Sequence, residues 1–376
     1  MKIVFDANPI TQNTKSGVGY FSASLIRALS NNSPENTRLI GHYFNFLDRK
    51  SITGLPQPSN ISYVHSKLFP TKLLNIGRRL GFQPPIELFS RQSADITLFT
   101  NFTAMPTVLG GKRVSIIYDV SYIDCPEYAP DRLVSYLKKW VPYTVRTSDL
   151  IIVNSEFTKQ RLIDEYKIDE NKVEVIPIPP IEHSTPDNKI LKKQNIEGNY
   201  ILFVGTIEPR KNIEALLDAY AKLDNNLKDD YALVLAGGKG WKDNGILQKI
   251  ADLQKQGLNI IRTGYVTDAE KSALYERATL CVQPSLYEGF GMPILEAMSY
   301  DKPLVCSDIA VFREIAGDAA SYFDPKSPDS IAKSISKILT DKTLQKNLVR
   351  GSKKRIESYP TWDKIGREFY EKLVEL

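Results

Sequence analysis

The chain has 376 residues, more than a single hydrophobic core usually organises, so two domains are expected. Its composition is 42% hydrophobic and 25% charged, which is typical of a globular protein and excludes a disordered or fibrous chain. The net charge is +5, but the sequence has no arginine-rich tract and no alternation of basic and aromatic residues, so we expect no nucleic-acid partner.

Sequence signals for export, membrane insertion or metal binding are scarce. The strand-like Ile3-Val4-Phe5 follows the first two residues, which predicts no signal peptide, and no apolar run is long enough to cross a bilayer. The three cysteines lie far apart, as free thiols in a reducing cytoplasm would. The three histidines are isolated, and the sequence contains no Asp-x-Asp or Cys-x-x-Cys. We therefore predict a cytoplasmic protein that binds no metal.

Short apolar runs alternate with longer amphipathic stretches along the whole chain. Strands are predicted at residues 3–5, 39–44, 61–64, 96–100, 114–118, 150–153, 173–176, 200–204, 232–236, 259–262, 280–283 and 303–306. Helical periodicity is clearest at residues 20–29, 133–146, 213–223 and 268–278. Strands that alternate with helices in this way predict an α/β protein whose parallel sheets are covered on both faces.

The alternating pattern occurs twice, with a break between the two halves. We predict a Rossmann-like domain at residues 1–178, and a second at residues 199–358. The proline-rich and lysine-rich residues 179–198 are predicted to be the linker, because prolines at this density do not begin a helix. Residues 359–376 begin with a Tyr-Pro break and are predicted to form a helix that either closes the second domain or crosses back to the first.

A glycine-rich loop follows the predicted strand at 280–283, and ligands in open α/β sheets collect at this end of a strand. Gly289 and Gly291 allow the backbone to approach a ligand closely. Pro293 suits the start of a helix, whose exposed N–H groups and dipole form a binding site for a diphosphate.

Two glutamates flank this loop, Glu288 within it and Glu296 in the predicted first turn of the helix. Taken singly, Glu288 is an ordinary loop carboxylate and Glu296 a complement to the helix dipole. Together they are placed to bind vicinal hydroxyls on either side of a diphosphate.

A second cluster, residues 205–212, lies at another strand-to-helix turn and contains Arg210 and Lys211. Two adjacent cations there are placed to hold phosphate oxygens, since cations at a helix start are unfavourable without an anion between them. The alternative is a pair of solvated surface cations. Residues 237–241 form a third glycine-rich turn, which is either a simple turn or a loop that contacts sugar.

The pattern Glu-Gly-Phe-Gly-Met-Pro-Ile-Leu-Glu-Ala-Met at 288–298 resembles the hallmark of glycosyltransferase family 4, the retaining group 1 transferases. Further similarity lies at 205–212 and 302–320, and weaker similarity reaches the first half. The resemblance implies a GT-B fold, in which two Rossmann-like domains face a central cleft. It also implies that the first domain binds the acceptor and the second binds a nucleotide sugar.

The resemblance assigns roles to the residues of the second half. Glu288 would contact hydroxyls of the transferred sugar, and Glu296 would hold the ribose. Lys211 would bind phosphate, and Arg210 would supply a second cation, because Thr206 stands where many relatives have arginine. The remaining donor contacts would come from Thr206, from the backbone of Gly289, Phe290 and Gly291, and from the base-binding loop that includes Val266.

The first half carries fewer signals. By the same resemblance, Gly17 and Gly19 would meet the donor phosphates, while Ser16 either caps the following helix or touches phosphate. Family members commonly have His-Asp where this chain has Tyr118-Asp119, so only the Tyr118 main chain and the Asp119 carboxylate are carried over. The alternative for Asp119 is a helix or turn cap.

The expected reaction is retaining transfer of a hexose, with mannose from GDP-mannose favoured, to a glycan or lipid-linked glycan in surface polysaccharide synthesis. No metal is expected, because the two cations and the helix dipole can replace one. A nucleotide-sugar epimerase and a non-catalytic nucleotide-sugar-binding subunit are the alternatives. Residues 66–82 carry four cations and no acid, which is typical either of contact with the inner face of a membrane or of a basic amphipathic core helix.

Overall fold

The structure is a computed structural model, and it describes residues 1–11, 16–48, 55–67, 70–180 and 182–376. Two residues of the predicted membrane-contacting segment, 68 and 69, lie outside the described residues. The strands are β1 (Lys2–Asp6), β2 (Arg38–Phe44), β3 (Ile61–Ser66), β4 (Ile96–Phe99), β5 (Lys112–Ile116), β6 (Leu150–Val153), β7 (Val173–Val175), β8 (Asn199–Val204), β9 (Tyr231–Ala236), β10 (Ile260–Gly264), β11 (Leu280–Gln283), β12 (Leu304–Ser307) and β13 (Ser321–Phe323).

Helices alternate with these strands along the chain. They are α1 (Gly17–Asn32), α2 (Thr71–Arg79), α3 (Glu87–Ser90), α4 (Ser121–Asp124), α5 (Asp131–Thr147), α6 (Glu156–Tyr166), α7 (Lys189–Lys193), α8 (Ile213–Ala221), α9 (Asn225–Asp230), α10 (Asn244–Lys255), α11 (Asp268–Arg277), α12 (Met292–Ser299), α13 (Ala310–Ala316), α14 (Pro328–Thr340), α15 (Lys342–Glu357) and α16 (Trp362–Val374). None of the helices in the described ranges is both long and apolar enough to span a bilayer.

The chain divides into two compact units. The first contains residues 1–123, 132–179 and 360–376, and the second contains residues 124–131 and 180–359. The short segment 124–131 was not expected in the second unit. It is held there by two hydrogen bonds, from Trp241 Nε1 to the Tyr128 carbonyl and from Lys242 Nζ to the Glu127 carbonyl, each 2.8 Å long.

Within the described residues, the first unit contains a parallel sheet of seven strands in the order β3-β2-β1-β4-β5-β6-β7. The β6 strand is buried along its whole length, as a strand covered by helices on both faces must be. The final helix, α16, packs on α1. Gly366 makes this approach possible, because a side chain there would collide with the Ala28 carbonyl.

The second unit contains, among the residues described, a parallel sheet in the order β10-β9-β8-β11-β12-β13. Its apolar core lies between this sheet and helices that include α8 and α14. Because parallel strands end at one edge of a sheet, the loops after β8, β9 and β11 emerge side by side. This edge therefore carries all three glycine-rich segments that were predicted from the sequence.

Candidate functional site

The loops after β8 and β9 are joined through their backbones. Ile207 N donates to the Gly238 carbonyl at 3.0 Å, and Gly240 N donates to the Ile207 carbonyl at 3.1 Å. Gly237 must lack a side chain, because a Cβ atom there would overlap the Gly205 carbonyl. The glycines of the third predicted turn thus allow two loops of the sheet edge to pack together.

The loop after β8 is also tied to the loop after β11. Leu286 N donates to the Arg210 carbonyl, and Arg210 Nη1 donates to the Tyr287 carbonyl, both at 2.9 Å. These two bonds bring the predicted cations and the glutamate-glycine loop, which are far apart in sequence, to one place at the carboxyl edge of the sheet.

Glu288 lies at the centre of this junction, with its carboxylate buried. Its Oε1 accepts from Lys211 Nζ at 2.5 Å and from Ser285 Oγ at 2.8 Å, and its Oε2 accepts from Arg210 Nη1 at 2.7 Å. The structure therefore brings the predicted residues Glu288, Arg210 and Lys211 into direct contact.

The surroundings of Glu288 keep it ionised. Burial alone would raise the pKa of its carboxyl, but the charges of Arg210 and Lys211, with the hydrogen bonds from Lys211 and Ser285, outweigh burial and lower the pKa to about 2. Glu288 is thus a fixed negative charge at neutral pH, suited to accept hydrogen bonds from hydroxyl groups and unsuited to act as a general base.

A second buried carboxylate, Glu208, was not singled out from the sequence. Its Oε1 accepts from Arg210 Nη2 at 2.9 Å. Arg210 is therefore held by carboxylates on two sides, and the charges of Arg210, Lys211, Glu208 and Glu288 sum to zero. Ser285, whose hydroxyl donates to Glu288, was also not singled out from the sequence. In both cases the sequence alone cannot show which polar side chain turns inward.

Glu296 lies on α12, next to two residues that were not predicted. Its Oε1 accepts from Lys271 Nζ at 2.6 Å, and its Oε2 accepts from Tyr275 Oη at 2.8 Å. Burial alone would lower the pKa of Lys271, but Glu296 and Asp268 outweigh burial and raise it. Both oxygens of the predicted ribose-binding carboxylate are therefore oriented by α11.

The prediction that Glu296 occupies the first turn of its helix is wrong. The helix begins at Met292, so Glu296 is its fifth residue, and the contacts with α11 explain its position better than the helix dipole does. The turn before the helix needs glycine, because Gly291 has φ of 103° and a Cβ atom there would lie 2.7 Å from Phe312. Gly289 and Phe290 are buried between Glu288 and this turn.

The other predicted donor contacts of this unit lie at the same edge. Thr206 is exposed in the loop after β8. Val266 is half-buried in the loop after β10, directly before Thr267, which caps α11 by accepting from Glu270 N. No group of three or more His, Cys, Asp or Glu side chains that could hold a metal occurs among the described residues.

The remaining predicted residues belong to the first unit. Gly17 and Gly19 form the first turn of α1, where Ser16 Oγ accepts from Gly19 N at 3.4 Å and so caps the helix. Asp119 Oδ1 accepts from Ser121 N at 3.0 Å and from Ser121 Oγ at 2.8 Å. This contact closes a turn directly before α4, which agrees with the turn cap that was the alternative interpretation of Asp119.

Tyr118 points into the core of the first unit. Its hydroxyl donates to the Thr100 carbonyl at 2.9 Å and lies 3.0 Å from Ser22 Oγ. Burial raises the pKa of Tyr118 above its ordinary value. The tyrosine therefore packs as a core residue and does not present a titratable group in place of the histidine common in relatives.

Solved structures share this architecture. Over the whole chain, the fold is similar to sucrose-phosphate synthase from Thermosynechococcus elongatus, with a TM-score of 0.74, 16% identity and 98% of that chain covered. It is similar to Anabaena HepE in complex with UDP and glucose, with a TM-score of 0.73, 17% identity and 100% of both chains covered. The predicted GT-B fold of two Rossmann-like domains is therefore confirmed.

Sequence comparisons show the family of the chain. Residues 186–355 match the family model of glycosyl transferases group 1, and residues 18–179 match that of glycosyltransferase family 4. The chain is 32% identical over 366 residues to O-antigen chain mannosyltransferase B of Escherichia coli, with 91% of each chain covered. The protein belongs to the group 1 glycosyltransferases, which confirms the predicted family and the prediction of an enzyme.

Proposed function

We propose that the protein transfers mannose from GDP-mannose, with retention of configuration, to a glycan or lipid-linked glycan in surface polysaccharide synthesis. The observation that carries this proposal is the buried Glu288 carboxylate, held between Arg210 and Lys211 where three loops of the sheet edge meet. A fixed carboxylate beside two cations suits a ligand that joins sugar hydroxyls to a diphosphate. The name of the Escherichia coli relative supports mannose as the sugar.

In the proposed complex, Glu288 accepts hydrogen bonds from hydroxyls of the hexose, and Glu296 accepts them from the ribose. Arg210 and Lys211 bind the diphosphate. The backbone of Gly289, Phe290 and Gly291 and the positive end of α12 face the same group. Further donor contacts come from Thr206 and Val266. In the first unit, we propose Gly17, Gly19 and Asp119 as substrate contacts.

The chemistry follows from these positions. The bond between the anomeric carbon and the diphosphate oxygen breaks, and a bond to the acceptor oxygen forms. The acceptor proton passes to an oxygen of the leaving diphosphate, so no protein base is needed. Arg210, Lys211 and the helix dipole stabilise the negative charge that develops on the leaving group, and we propose that this occurs without a metal.

A transfer assay tests this proposal. Purified protein is incubated with GDP-mannose or UDP-glucose and a mannose-containing oligosaccharide, with and without EDTA, and the elongated product is measured. We expect product only from GDP-mannose, at equal rates with EDTA. If product formed from UDP-glucose and not from GDP-mannose, the proposed donor would be wrong. If the hexose of the nucleotide sugar were converted into another hexose without acceptor, the epimerase alternative would be favoured.

The Glu288→Gln variant separates catalysis from binding. It keeps the shape and an acceptor oxygen but removes the charge that faces the sugar. We expect turnover to fall by about 100-fold, as when one preorganised group is removed from an active site. Nucleotide binding should persist. A variant with unchanged turnover would contradict the role of Glu288, and a wild-type protein that binds nucleotide without turnover would support the non-catalytic alternative.

We also propose that the protein works at the inner face of a membrane, where a lipid-linked acceptor lies. Residues 66–82 contain no acid, and α2 with the residues after it exposes large apolar side chains, with Leu80 82% and Phe82 68% exposed. The Lys139 ammonium of α5 lies 3.7 Å from the position that a Cβ atom on Gly81 would take. Exposed apolar side chains beside cations suit an anionic lipid surface.

A further inference from the structure

Glu208 is a buried carboxylate in the loop after β8, and its side chain is fixed on two sides. The residue is only 2% exposed. A Cβ atom added to Gly240 would lie 3.0 Å from the Glu208 Cβ, so the loop after β9 covers it closely. Its Oε1 accepts from Arg210 Nη2 at 2.9 Å. A buried carboxylate is costly unless it is paired, and Arg210 supplies a partner of opposite charge for Glu208.

The pairing fixes the plane of the Arg210 guanidinium. One terminal nitrogen of Arg210 donates to Glu288 at 2.7 Å and to the Tyr287 carbonyl at 2.9 Å, and the other donates to Glu208. A planar guanidinium held at both terminal nitrogens cannot rotate without breaking a bond on either side. Glu208 therefore determines which way Arg210 faces.

Glu208 also sets the charge of the site. Arg210 and Lys211 carry two positive charges, and Glu288 alone would leave the cluster at +1. With Glu208 the four charges sum to zero. A site at +1 would attract the diphosphate of the donor and that of the released nucleotide alike, and binding both more tightly does not accelerate transfer. Tighter binding of the product would slow its release, which limits turnover in many enzymes.

We propose that Glu208 is a positioning residue of the diphosphate site, which orients Arg210 and holds the charge of the cluster at zero so that the product nucleotide is released. The inference rests on the proposed function. Glu208 acts through Arg210. We therefore expect loss of its charge to raise the affinity for nucleotide and to lower kcat.

The test compares three variants by calorimetric titration with GDP and by steady-state transfer. Glu208→Gln keeps an acceptor for Arg210 and removes the charge, so we expect GDP to bind at least about threefold more tightly, with a lower kcat. Glu208→Asp keeps the charge and should leave the affinity close to wild type. Asp218→Asn is the matched control, since Asp218 pairs with Lys249 at 2.6 Å outside the three loops, and its affinity should not change.

The outcomes separate this inference from the proposed function. A wild-type protein that binds neither GDP nor another nucleoside diphosphate would overturn both. Wild-type binding with an unchanged or weaker affinity in Glu208→Gln would overturn only the role of Glu208, since a merely structural carboxylate would lower the melting temperature without tightening the site. If Asp218→Asn increased the affinity for GDP equally, the effect would come from the net charge of the protein alone, and the role of Glu208 would also be overturned.

Discussion

Glu288 combines burial with two cationic partners, and this determines how its charge depends on pH. Its pKa is about 2 in the folded protein against an ordinary 4.5. Because the folded value is the lower one, the pairing stabilises the folded state above about pH 4.5, and this contribution is lost as the pH falls towards 2. Between pH 5 and 8 the carboxylate does not change its charge.

We therefore expect the dissociation constant of GDP to show no protonation step from Glu288 between pH 5 and 8. The measurement is a calorimetric titration at intervals across that range, corrected for the ionisation of the nucleotide itself. An acidic step with a midpoint near pH 6 that disappears in Glu288→Gln would contradict the lowered pKa.

Sequence patterns predicted which residues lie together at the sheet edge better than they predicted the contacts among them. Glu288, Arg210 and Lys211 were singled out because glycines and cations at strand ends have a physical explanation. Glu208, Ser285, Lys271 and Tyr275 were missed because a polar residue carries no mark of the direction in which its side chain points. The same limit applies to Tyr118, whose hydroxyl bonds inward to the Thr100 carbonyl.

Among the elements, the buried strands were the most predictable. The runs at 150–153 and 280–283 coincide with β6 and β11, because both strands are buried along their whole length and every residue in them except Gln283 is apolar. The missed strand, β13, has three residues, lies at the edge of its sheet and buries only Phe323. A strand so short has no pattern long enough to predict it.

The α2 helix carries the proposed membrane contact, and its apolar side chains are divided. Leu74 is buried, while Leu73 and Ile76 are each about half exposed. The helix is thus neither a fully buried core helix nor a uniformly polar surface one. A helix with its apolar side chains divided in this way leaves some of them available for the proposed contact with the interface of a bilayer.

We expect the protein to bind vesicles that contain phosphatidylglycerol more tightly than vesicles of phosphatidylcholine alone. We expect Leu80→Ser to weaken that binding by about tenfold, because it removes an apolar side chain that the lipid would partly bury. Co-sedimentation measures both effects. The matched control is Val374→Ser, which removes an apolar side chain that is 60% exposed on α16. Equal losses in the two variants, or no preference for anionic lipid, would contradict a specific membrane surface.

At the scale of the whole molecule, the repetition of strands and helices was sufficient to predict two Rossmann-like domains. The assignment of short segments to the units was less predictable. Residues 124–131 belong to the second unit because Trp241 and Lys242 bind carbonyl groups in that segment. Every residue has a backbone carbonyl oxygen that can accept such a bond, so the residue types in 124–131 do not indicate these bonds.

In the proposed function, the second unit binds a nucleoside diphosphate at the edge formed by the loops after β8, β9 and β11. The most direct test is the melting temperature of the whole protein in titrations with GDP, UDP, dTDP and ADP, without added metal. A nucleotide at about 100 times its dissociation constant should stabilise the protein by about 2.7 kcal/mol. We expect GDP to raise the melting temperature most. If none of the four nucleotides raised it, the diphosphate site at Arg210, Lys211 and Gly289–Gly291 would be contradicted.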